Sequence, residues 1–226
     1  MNQVIVDSIQ GVTLAGGGPF GKAALQRALR FAPVIVGADG GADRLLQLNA
    51  VPQAVIGDLD SITDGARARL SDRLFPIDEQ ETTDFDKALR SIKAPFVLGL
   101  GFAGARMDHG LAVLNALVRH PGQRCLILGP KDLTFLAPRD LTLTLPLGTR
   151  VSLFPMGSVQ GQSSGLRWPI KGLKFAPDGT IGTSNEVSET RVHLQFDADK
   201  MLVIVPLACL KAVLQGLGVL SGVRDE

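Results

Sequence analysis

The periodicity of apolar residues along the chain changes once, near residue 141, and this change is the sequence feature that constrains the fold most. Before it, short apolar runs such as "GVTLAGG" and "APVIVGADGG" alternate with segments such as "KAALQRALRF", whose apolar residues recur at helical spacing. Strands that alternate with helices predict a parallel sheet joined by helical crossovers. We therefore expect residues 1–136 to form an α/β domain with a mostly parallel, Rossmann-like sheet. The polar residues that follow its strands should gather in one crevice.

Beyond residue 141, apolar and polar residues alternate with period two, as in "LTLTLPLGTRVSLFPMG", "RVHLQF" and "MLVIVPL". Residues that favour turns interrupt these runs at short intervals. This pattern is typical of antiparallel strands, and we expect residues 137–226 to form an antiparallel β-sandwich domain. The segment "LACLKAVLQGLG" near the end predicts a helix.

The composition argues against several classes of protein. The formal net charge of the 226 residues is only +1, so the chain lacks the basic surface that nucleic-acid binding would need. No window approaches the roughly 20 apolar residues of a membrane span, and we expect neither a signal peptide nor a membrane partner. Cys125 and Cys209 lie in apolar contexts. They are expected to be reduced thiols of a cytoplasmic protein.

A glycine cluster near the start fits two phosphate-binding patterns at once. The stretch "GGGPFG", from Gly16 to Gly21, satisfies G-x-G-x-x-G, and Asp39 ends the next strand as a dinucleotide site requires. With Lys22 it also satisfies G-x-x-x-x-G-K, although Ala23 replaces the Ser or Thr of a P-loop. A tight strand-to-helix turn would need the same glycines without any ligand. An NAD-dependent oxidoreductase is therefore one alternative function.

A group of carboxylates follows the strands of the first half. Asp58 and Asp60 in "GDLDS" would point to the same side if that segment were extended. Asp84 in "TTDFDKAL" lies in the first turn of a predicted helix, where an acid complements the dipole and Thr82 or Thr83 can cap. The cluster as a whole favours a hard divalent cation such as Mg²⁺, shared with the phosphates of a substrate.

The segment "GLGFAGARMDHGLA" places three polar residues at the start of another helix. Arg106 offers a bidentate contact to phosphate. Asp108 is a helix cap or a ligand, and His109 is a candidate nucleotide contact. His109, His120 and His193 are too scattered along the chain to indicate a zinc site.

Six segments in order resemble those of thiamine pyrophosphokinases: "ADGGAD", "GDLDSI", "QETTDFDKAL", "GFAGARMDHGLAVLNAL", "GLRWPIKG" and "GTSNEVS". The resemblance extends over most of the chain. It implies an enzyme that transfers a pyrophosphoryl group from ATP to thiamine, with Mg²⁺, giving thiamine diphosphate and AMP. It also implies a homodimer whose thiamine site is built from both subunits.

The resemblance assigns roles to residues at matching positions. It implies that the metal and catalytic carboxylates are Asp58, Asp60 and Asp84. Arg106 or Lys87 would neutralise further phosphate charge, and Glu81 stands where the family commonly has Asp. The positions implied on the nucleotide side are Gly16, Gly17, Asp39, Gly40, Gly41, Gln80, Thr83, Arg106, Asp108 and His109.

On the thiamine side, Trp168 resembles the aromatic residue that stacks on the pyrimidine ring, with Ser184 and Asn185 as its polar neighbours. Trp168 is the single tryptophan of the chain, and an electron-rich ring face suits a cationic ligand. Two further alternatives remain: a sensor that binds thiamine or nucleotide without chemistry, and another Mg²⁺-dependent transferase.

Overall fold

The computed structural model describes residues 3–104 and 106–220. It divides into two compact units, Met1–Pro130 and Lys131–Glu226. The domain boundary expected after residue 136 falls at the end of the strand Asp132–Leu136. That strand pairs with Met201–Pro206 and therefore belongs to the second unit.

The first unit alternates strands and helices. Its strands are β1 (Val6–Asp7), β2 (Val12–Ala15), β3 (Val34–Ala38), β4 (Ala54–Gly57), β5 (Leu74–Pro76), β6 (Ile92–Lys93), β7 (Val97–Leu100) and β8 (Cys125–Leu128). Its α-helices are α1 (Lys22–Leu29), α2 (Gly41–Gln47), α3 (Asp64–Arg69), α4 (Asp84–Arg90) and α5 (Met107–Arg119), and a 3₁₀ turn covers Ser71–Arg73.

The larger sheet of this unit has the order β8-β7-β2-β3-β4-β5, and its neighbouring strands are parallel. The chain builds outwards from β2 in one direction through β3, β4 and β5, and in the other through β7 and β8. The order therefore reverses between β2 and β7. In open α/β sheets a crevice opens at the carboxyl ends of the strands at such a switch point.

Burial follows from this layout. Every residue of β2, β4, β7 and β8 is buried, as expected of central strands in a parallel sheet. Helix α4 buries Phe85, Ala88 and Leu89 and ends at Arg90. Ile92, two residues further on, is buried in β6.

The second unit is built from antiparallel strands. They are β9 (Asp132–Leu136), β10 (Asp140–Thr144), β11 (Arg150–Pro155), β12 (Val159–Ser164), β13 (Lys174–Phe175), β14 (Gly182–Glu186), β15 (Arg191–Phe196) and β16 (Met201–Pro206). A 3₁₀ turn (Leu207–Cys209) leads into helix α6 (Leu210–Gly216), which confirms the helix predicted there.

These strands form two antiparallel arrangements, β14-β11-β16-β9 and β10-β15-β12-β13. In β15 the buried residues Val192, Leu194 and Phe196 alternate with more exposed ones, which is the predicted period-two pattern. The predicted fold class, an α/β part followed by antiparallel β structure, is confirmed. Across residues 3–104 and 106–220, none of the helices has the length and apolar character needed to span a bilayer.

Candidate active site

A cleft of about 320 Å³ opens at the switch point of the first unit. Its walls come from the loops after β2, β3 and β7 and from the first turns of α4 and α5, as the crevice rule predicts. The lining residues that were not predicted for the site are Gly18, Ala38, Ser61, Phe85, Gly101, Phe102 and Val113. The predicted site residues that line it are Gly16, Gly17, Asp39, Gly40, Thr83, Asp84, Arg106 and His109.

The glycine turn after β2 packs tightly against the turn after β7. The N–H of Gly16 donates to the carbonyl of Leu100 at 2.8 Å, and that of Gly18 donates to Gly101 at 3.1 Å. A Cβ on Gly18 would lie 2.4 Å from the Gly101 oxygen. Close backbone approach therefore explains the need for glycine here, and two of the N–H groups are already engaged within the protein.

Asp58 and Asp60 are brought together by a turn and not by an extended strand. Strand β4 ends at Gly57, and Leu59 has a φ of 64°, in the left-handed region that is unfavourable for leucine. The N–H of Asp60 donates to Oδ1 of Asp58 at 3.4 Å. The expectation that strand alternation aligns the two side chains was therefore wrong in its geometry, although the carboxylates do lie close together.

Leu59 explains how this turn persists. Its side chain is buried in an apolar cluster that includes Val55 and Ile62 and reaches into α3. Burying a leucine contributes roughly 1.5–3 kcal/mol. That gain outweighs the roughly 1–2 kcal/mol cost of a left-handed backbone at this residue. Burial of the Leu59 side chain therefore stabilises the turn.

Asp39 joins the two carboxylates from the neighbouring strand end. It follows β3 with a φ of 44°, and its Oδ1 accepts the N–H of Ser61 at 3.3 Å. Carboxylate oxygens of Asp39, Asp58 and Asp60 lie within 4.8 Å of one another. Asp39, predicted on the nucleotide side of the site, lines the cleft and also belongs to the carboxylate cluster.

Asp84 is connected to this cluster through a buried lysine. Lys87 Nζ lies 3.0 Å from Oδ2 of Asp58 and 3.2 Å from Oδ1 of Asp84, and its side chain is only 1% exposed. The N–H of Asp58 also donates to Oδ1 of Asp84, at 3.2 Å. Thr83 caps α4 by accepting the N–H of Asp86, which confirms the predicted cap and fixes where Asp84 begins the helix.

These contacts shift the ionisation of the cluster. Burial raises the pKa of Asp39, and the nearby negative charge of Asp84 adds to the increase. Burial also opposes ionisation of Asp58, but hydrogen bonds from Lys87 and the Asp60 N–H lower its pKa below the usual value. For Lys87, burial acts to lower the pKa, and the bonds and charges of Asp58 and Asp84 more than offset it. The lysine therefore remains a cation between two carboxylates.

The donor set suits a hard divalent cation. Asp39, Asp58 and Asp60 offer only carboxylate oxygens, which Mg²⁺ and Ca²⁺ prefer over the nitrogen and sulfur ligands of zinc sites. The exposure of Asp60 leaves room for water and for substrate oxygens. The residues present therefore fit Mg²⁺.

Sequence reasoning missed the apolar side of the cleft. The rings of Phe85 and Phe102 meet edge to face, with centroids 4.7 Å apart. Neither Phe85 nor Phe102 was among the predicted site residues. Phe102 lies two residues after the end of β7, and this position was the available signal, because residues after strand ends form the crevice.

Arg106 and Asp108 bind each other at the entrance of α5. Arg106 Nε lies 3.1 Å from Oδ1 of Asp108, and Nη2 lies 2.5 Å from Oδ2, so the guanidinium fork faces the carboxylate. Hydrogen bonding to Arg106 lowers the pKa of Asp108 to about 2. Both side chains are exposed. Asp108 does not line the cleft, whereas His109 does.

Two other predicted residues, Gly41 and Gln80, do not line the cleft. A Cβ on Gly41 would lie 1.9 Å from the carbonyl oxygen of Ala15, so only glycine allows α2 to begin against β2. The side chain of Gln80 lies near the carboxylate of Asp58 and helps to lower its pKa.

In the second unit, Trp168 is 53% exposed, and the guanidinium of Arg167 lies 4.9 Å from the centre of its ring. Asn185 fixes the backbone beneath it: Oδ1 accepts the Trp168 N–H at 3.2 Å, and Nδ2 donates to the Trp168 carbonyl at 2.7 Å. Ser184 has a φ of 61°, and its N–H donates to Oγ of Ser152. Asn185 therefore fixes the backbone of Trp168, while the residue stays half exposed to solvent.

Comparison with known protein families accounts for both units. The family model described as the catalytic domain of thiamin pyrophosphokinase matches residues 25–127, and the model of its vitamin B1 binding domain matches residues 138–201. The chain belongs to the thiamin pyrophosphokinase family. The resemblance carried by the six motifs is thereby confirmed.

Individual relatives agree with this membership. The chain is 29% identical over 221 residues to "Thiamine pyrophosphokinase 1" of Oryza sativa subsp. japonica, covering 79% of this chain and 84% of the relative. It is 29% identical over 202 residues to "Thiamine pyrophosphokinase 1" of Arabidopsis thaliana, covering 74% and 76%. The solved thiamin pyrophosphokinase from Candida albicans superposes with a TM-score of 0.75 over 89% of this chain and 92% of that one. At 16% identity, this likeness shows the fold alone.

Proposed function

We propose that this chain is a thiamine diphosphokinase, which transfers the pyrophosphoryl group of ATP to the primary hydroxyl of thiamine and releases AMP. The observation that carries the proposal is the cluster of Asp39, Asp58 and Asp60, bridged to Asp84 by Lys87, inside the catalytic-domain match. The comparisons support neither the oxidoreductase nor the sensor.

In this reaction the hydroxyl oxygen of thiamine forms a bond to the β-phosphorus of ATP. The bond from that phosphorus to the oxygen bridging the α-phosphate breaks, and AMP keeps the oxygen. The hydroxyl proton needs an acceptor. Asp84 lines the cleft, and its Oδ1 is already in contact with Lys87 and with the Asp58 N–H. We therefore assign the proton to the other carboxylate oxygen of Asp84, Oδ2.

We propose Mg²⁺ as the cation and Asp39, Asp58 and Asp60 as the residues that hold it. When bound there, the ion would neutralise charge on the phosphates. Asp84, expected from the sequence as a metal ligand, is not one of the three residues whose carboxylate oxygens lie within 4.8 Å of one another, and we therefore give it the proton-accepting role. Lys87 keeps Asp58 and Asp84 close together, and it supplies a fixed positive charge without the mobility of a surface lysine.

The cleft is proposed to hold the nucleotide. Gly16, Gly17 and Gly40 provide a narrow backbone wall, and the Phe85–Phe102 pair provides an apolar one. Arg106 offers its fork to a phosphate when it releases Asp108. The roles of Thr83, His109, Gln80 and Gly41 on this side remain predictions.

For thiamine we propose stacking on Trp168, with Ser184 as a polar neighbour and Asn185 as the support of the indole. The exposed ring face and the cationic thiazolium of the ligand favour this assignment. A homodimer and a cytoplasmic location are further proposals, the second supported by two buried cysteines that are not joined in a disulfide.

The deciding experiment incubates the purified protein with thiamine, ATP and Mg²⁺ and separates the products by chromatography. Equal amounts of thiamine diphosphate and AMP, lost on addition of EDTA, are expected. ADP with thiamine monophosphate would reveal an ordinary kinase on the same scaffold. The absence of product with every nucleoside triphosphate would overturn the proposal. Sizing of the protein by light scattering tests the dimer.

A further inference from the structure

The loop between β5 and α4 is folded around a single carboxylate. Oε2 of Glu79 accepts the N–H groups of Glu81 at 2.8 Å and Thr82 at 3.0 Å. Oε1 accepts the hydroxyl of Thr82 and Nη2 of Arg90, the latter at 2.8 Å. Hydrogen bonding from Thr82, together with that from Arg90 and the two N–H groups, lowers the pKa of Glu79 to about 2. The loop is therefore closed by one ionised side chain.

Arg90 lies in the last turn of α4 and is itself supported from α5. Its Nη1 lies 4.0 Å from Oδ1 of Asp86, a carboxylate that is only 3% exposed. Arg119 Nη1 approaches that carboxylate to 2.9 Å, and Nε2 of His120 lies 3.0 Å from it. Because a buried carboxylate persists only when it is paired, Asp86 ties the end of α5 to α4 at the base of Arg90.

The closed loop carries residues that meet the acidic cluster. The side chain of Gln80 lies near Asp58 and helps to lower the pKa of that carboxyl. Thr83 caps α4 and so sets the position of Asp84, which follows it directly. Any shift of the loop would therefore change the orientation of Asp58 and Asp84 together.

We propose that Glu79 and Arg90 are positioning residues for pyrophosphoryl transfer, because their contact fixes the loop that holds Gln80 against Asp58 and starts α4 at Asp84. The inference rests on the function proposed above, and it explains how the carboxylates of Asp58 and Asp84 are held in position. Neither residue lines the cleft or belongs to the carboxylate cluster.

If the Glu79–Arg90 contact served only to stabilise the fold, its loss would lower the melting temperature. Gln80 and Glu81 are exposed and Thr82 is only half-buried, so the loop contributes little apolar burial. A partly exposed ion pair contributes little to stability. Loss of the Glu79–Arg90 contact should therefore leave the melting temperature nearly unchanged while the geometry at Asp58 deteriorates.

The test compares E79Q, R90M and the double variant with the wild type. Glutamine keeps the size of Glu79 but loses the charge and one acceptor, and methionine keeps the stem of Arg90 without its fork. The control is D7N, which removes the Asp7–Lys93 pair of 2.9 Å between β1 and β6, away from the cleft. The measurements are kcat and KM for thiamine diphosphate formation, Mn²⁺ binding by calorimetry, and thermal unfolding.

Each single variant is expected to lose about 10–100-fold in kcat or in Mn²⁺ affinity, as is usual when a partner that orients a metal ligand is removed. The double variant should lose about as much as the more impaired single variant, because the two residues act through their shared contact. R90K should recover part of the loss through its charge. D7N should match the wild type, and all folded variants should unfold near its melting temperature.

Wild-type kcat and Mn²⁺ affinity in both single variants would overturn the inference, as would losses that multiply in the double variant. Should R90M fail to fold, E79Q carries the test alone, because its side chain keeps the original size. If the wild type binds Mn²⁺ but forms no thiamine diphosphate, the proposed function fails. The Mn²⁺ affinities of the variants then still decide the role of Glu79 and Arg90.

Discussion

The carboxylate centre of the first unit and the indole of the second are held in opposite ways. Lys87 is 1% exposed and contacts two aspartates, and Asp39 and Asp58 take further hydrogen bonds from the backbone. Trp168 is 53% exposed, and only its backbone is fixed, by Asn185. Clustered like charges repel unless each is placed against a partner, whereas an apolar ring needs only an orientation. Substitutions should therefore impair catalysis in the first region and affinity in the second.

The largest effect is expected for Asp58→Asn. Asparagine keeps the shape but removes the charge that faces Lys87 and one of the three clustered carboxylates. We expect kcat to fall by about 10²–10³-fold, the range seen when a fixed electrostatic group is lost from a site. Product formation by chromatography checks this, with circular dichroism to confirm the fold. Near wild-type turnover in folded D58N would contradict the assignment of the carboxylate cluster as the catalytic centre.

Lys87→Met should have the next largest effect and should also change the pH dependence. Lys87 helps to lower the pKa of Asp58, so its removal raises that pKa. The carboxylate is then protonated at a higher pH, and the acid limb of kcat against pH should move upwards, with a loss of about 10²-fold at neutral pH. K87R keeps the charge and serves as the control. An unmoved acid limb would contradict the role of this lysine.

Trp168→Ala tests the second region, where we expect affinity for thiamine to change more than turnover. Loss of a stacking and cation–π partner costs about 1–2 kcal/mol, which corresponds to an increase of about 5–30-fold in KM for thiamine. We expect kcat to change much less. Trp168→Phe keeps a smaller ring and should recover part of the affinity. An unchanged KM in W168A would remove Trp168 from the thiamine site.

Asn185→Ala should have the smallest catalytic effect. The amide of the buried Asn185 makes hydrogen bonds to both backbone groups of Trp168, and alanine removes both bonds. We expect about 1–3 kcal/mol of destabilisation together with a rise in KM smaller than that in W168A. Chemical denaturation and steady-state kinetics measure the two quantities. A kcat loss as large as that of D58N would break the distinction between the two regions.

The sequence was most informative where chemistry and periodicity coincide. Strand ends, the position of Asp84 in the first turn of α4 and the cap at Thr83 follow from local rules that hold regardless of distant contacts. The crevice was predictable because parallel strands place their carboxyl ends at one edge.

The contacts across the site were not predictable in the same way. The bridge from Lys87 to Asp58 joins residues 29 positions apart, and no local pattern specifies such a pair. The left-handed φ of Leu59 depends on the apolar cluster that receives its side chain, so the sequence suggested an extended segment instead. The short strand β5 and helix α3 were missed because their few apolar residues show no clear period.

Leu59 has a consequence for hydrogen exchange. It stands between two site acids, and any movement that withdraws them must pull its side chain from the cluster containing Val55 and Ala66. The loop therefore cannot open by itself, unlike most exposed loops. The amides of Asp60 and Ser61, which donate to Asp58 and Asp39, should exchange with solvent only when the neighbouring helix α3 also opens. The amides of this surface turn would then be protected from hydrogen exchange as strongly as those of helix α3.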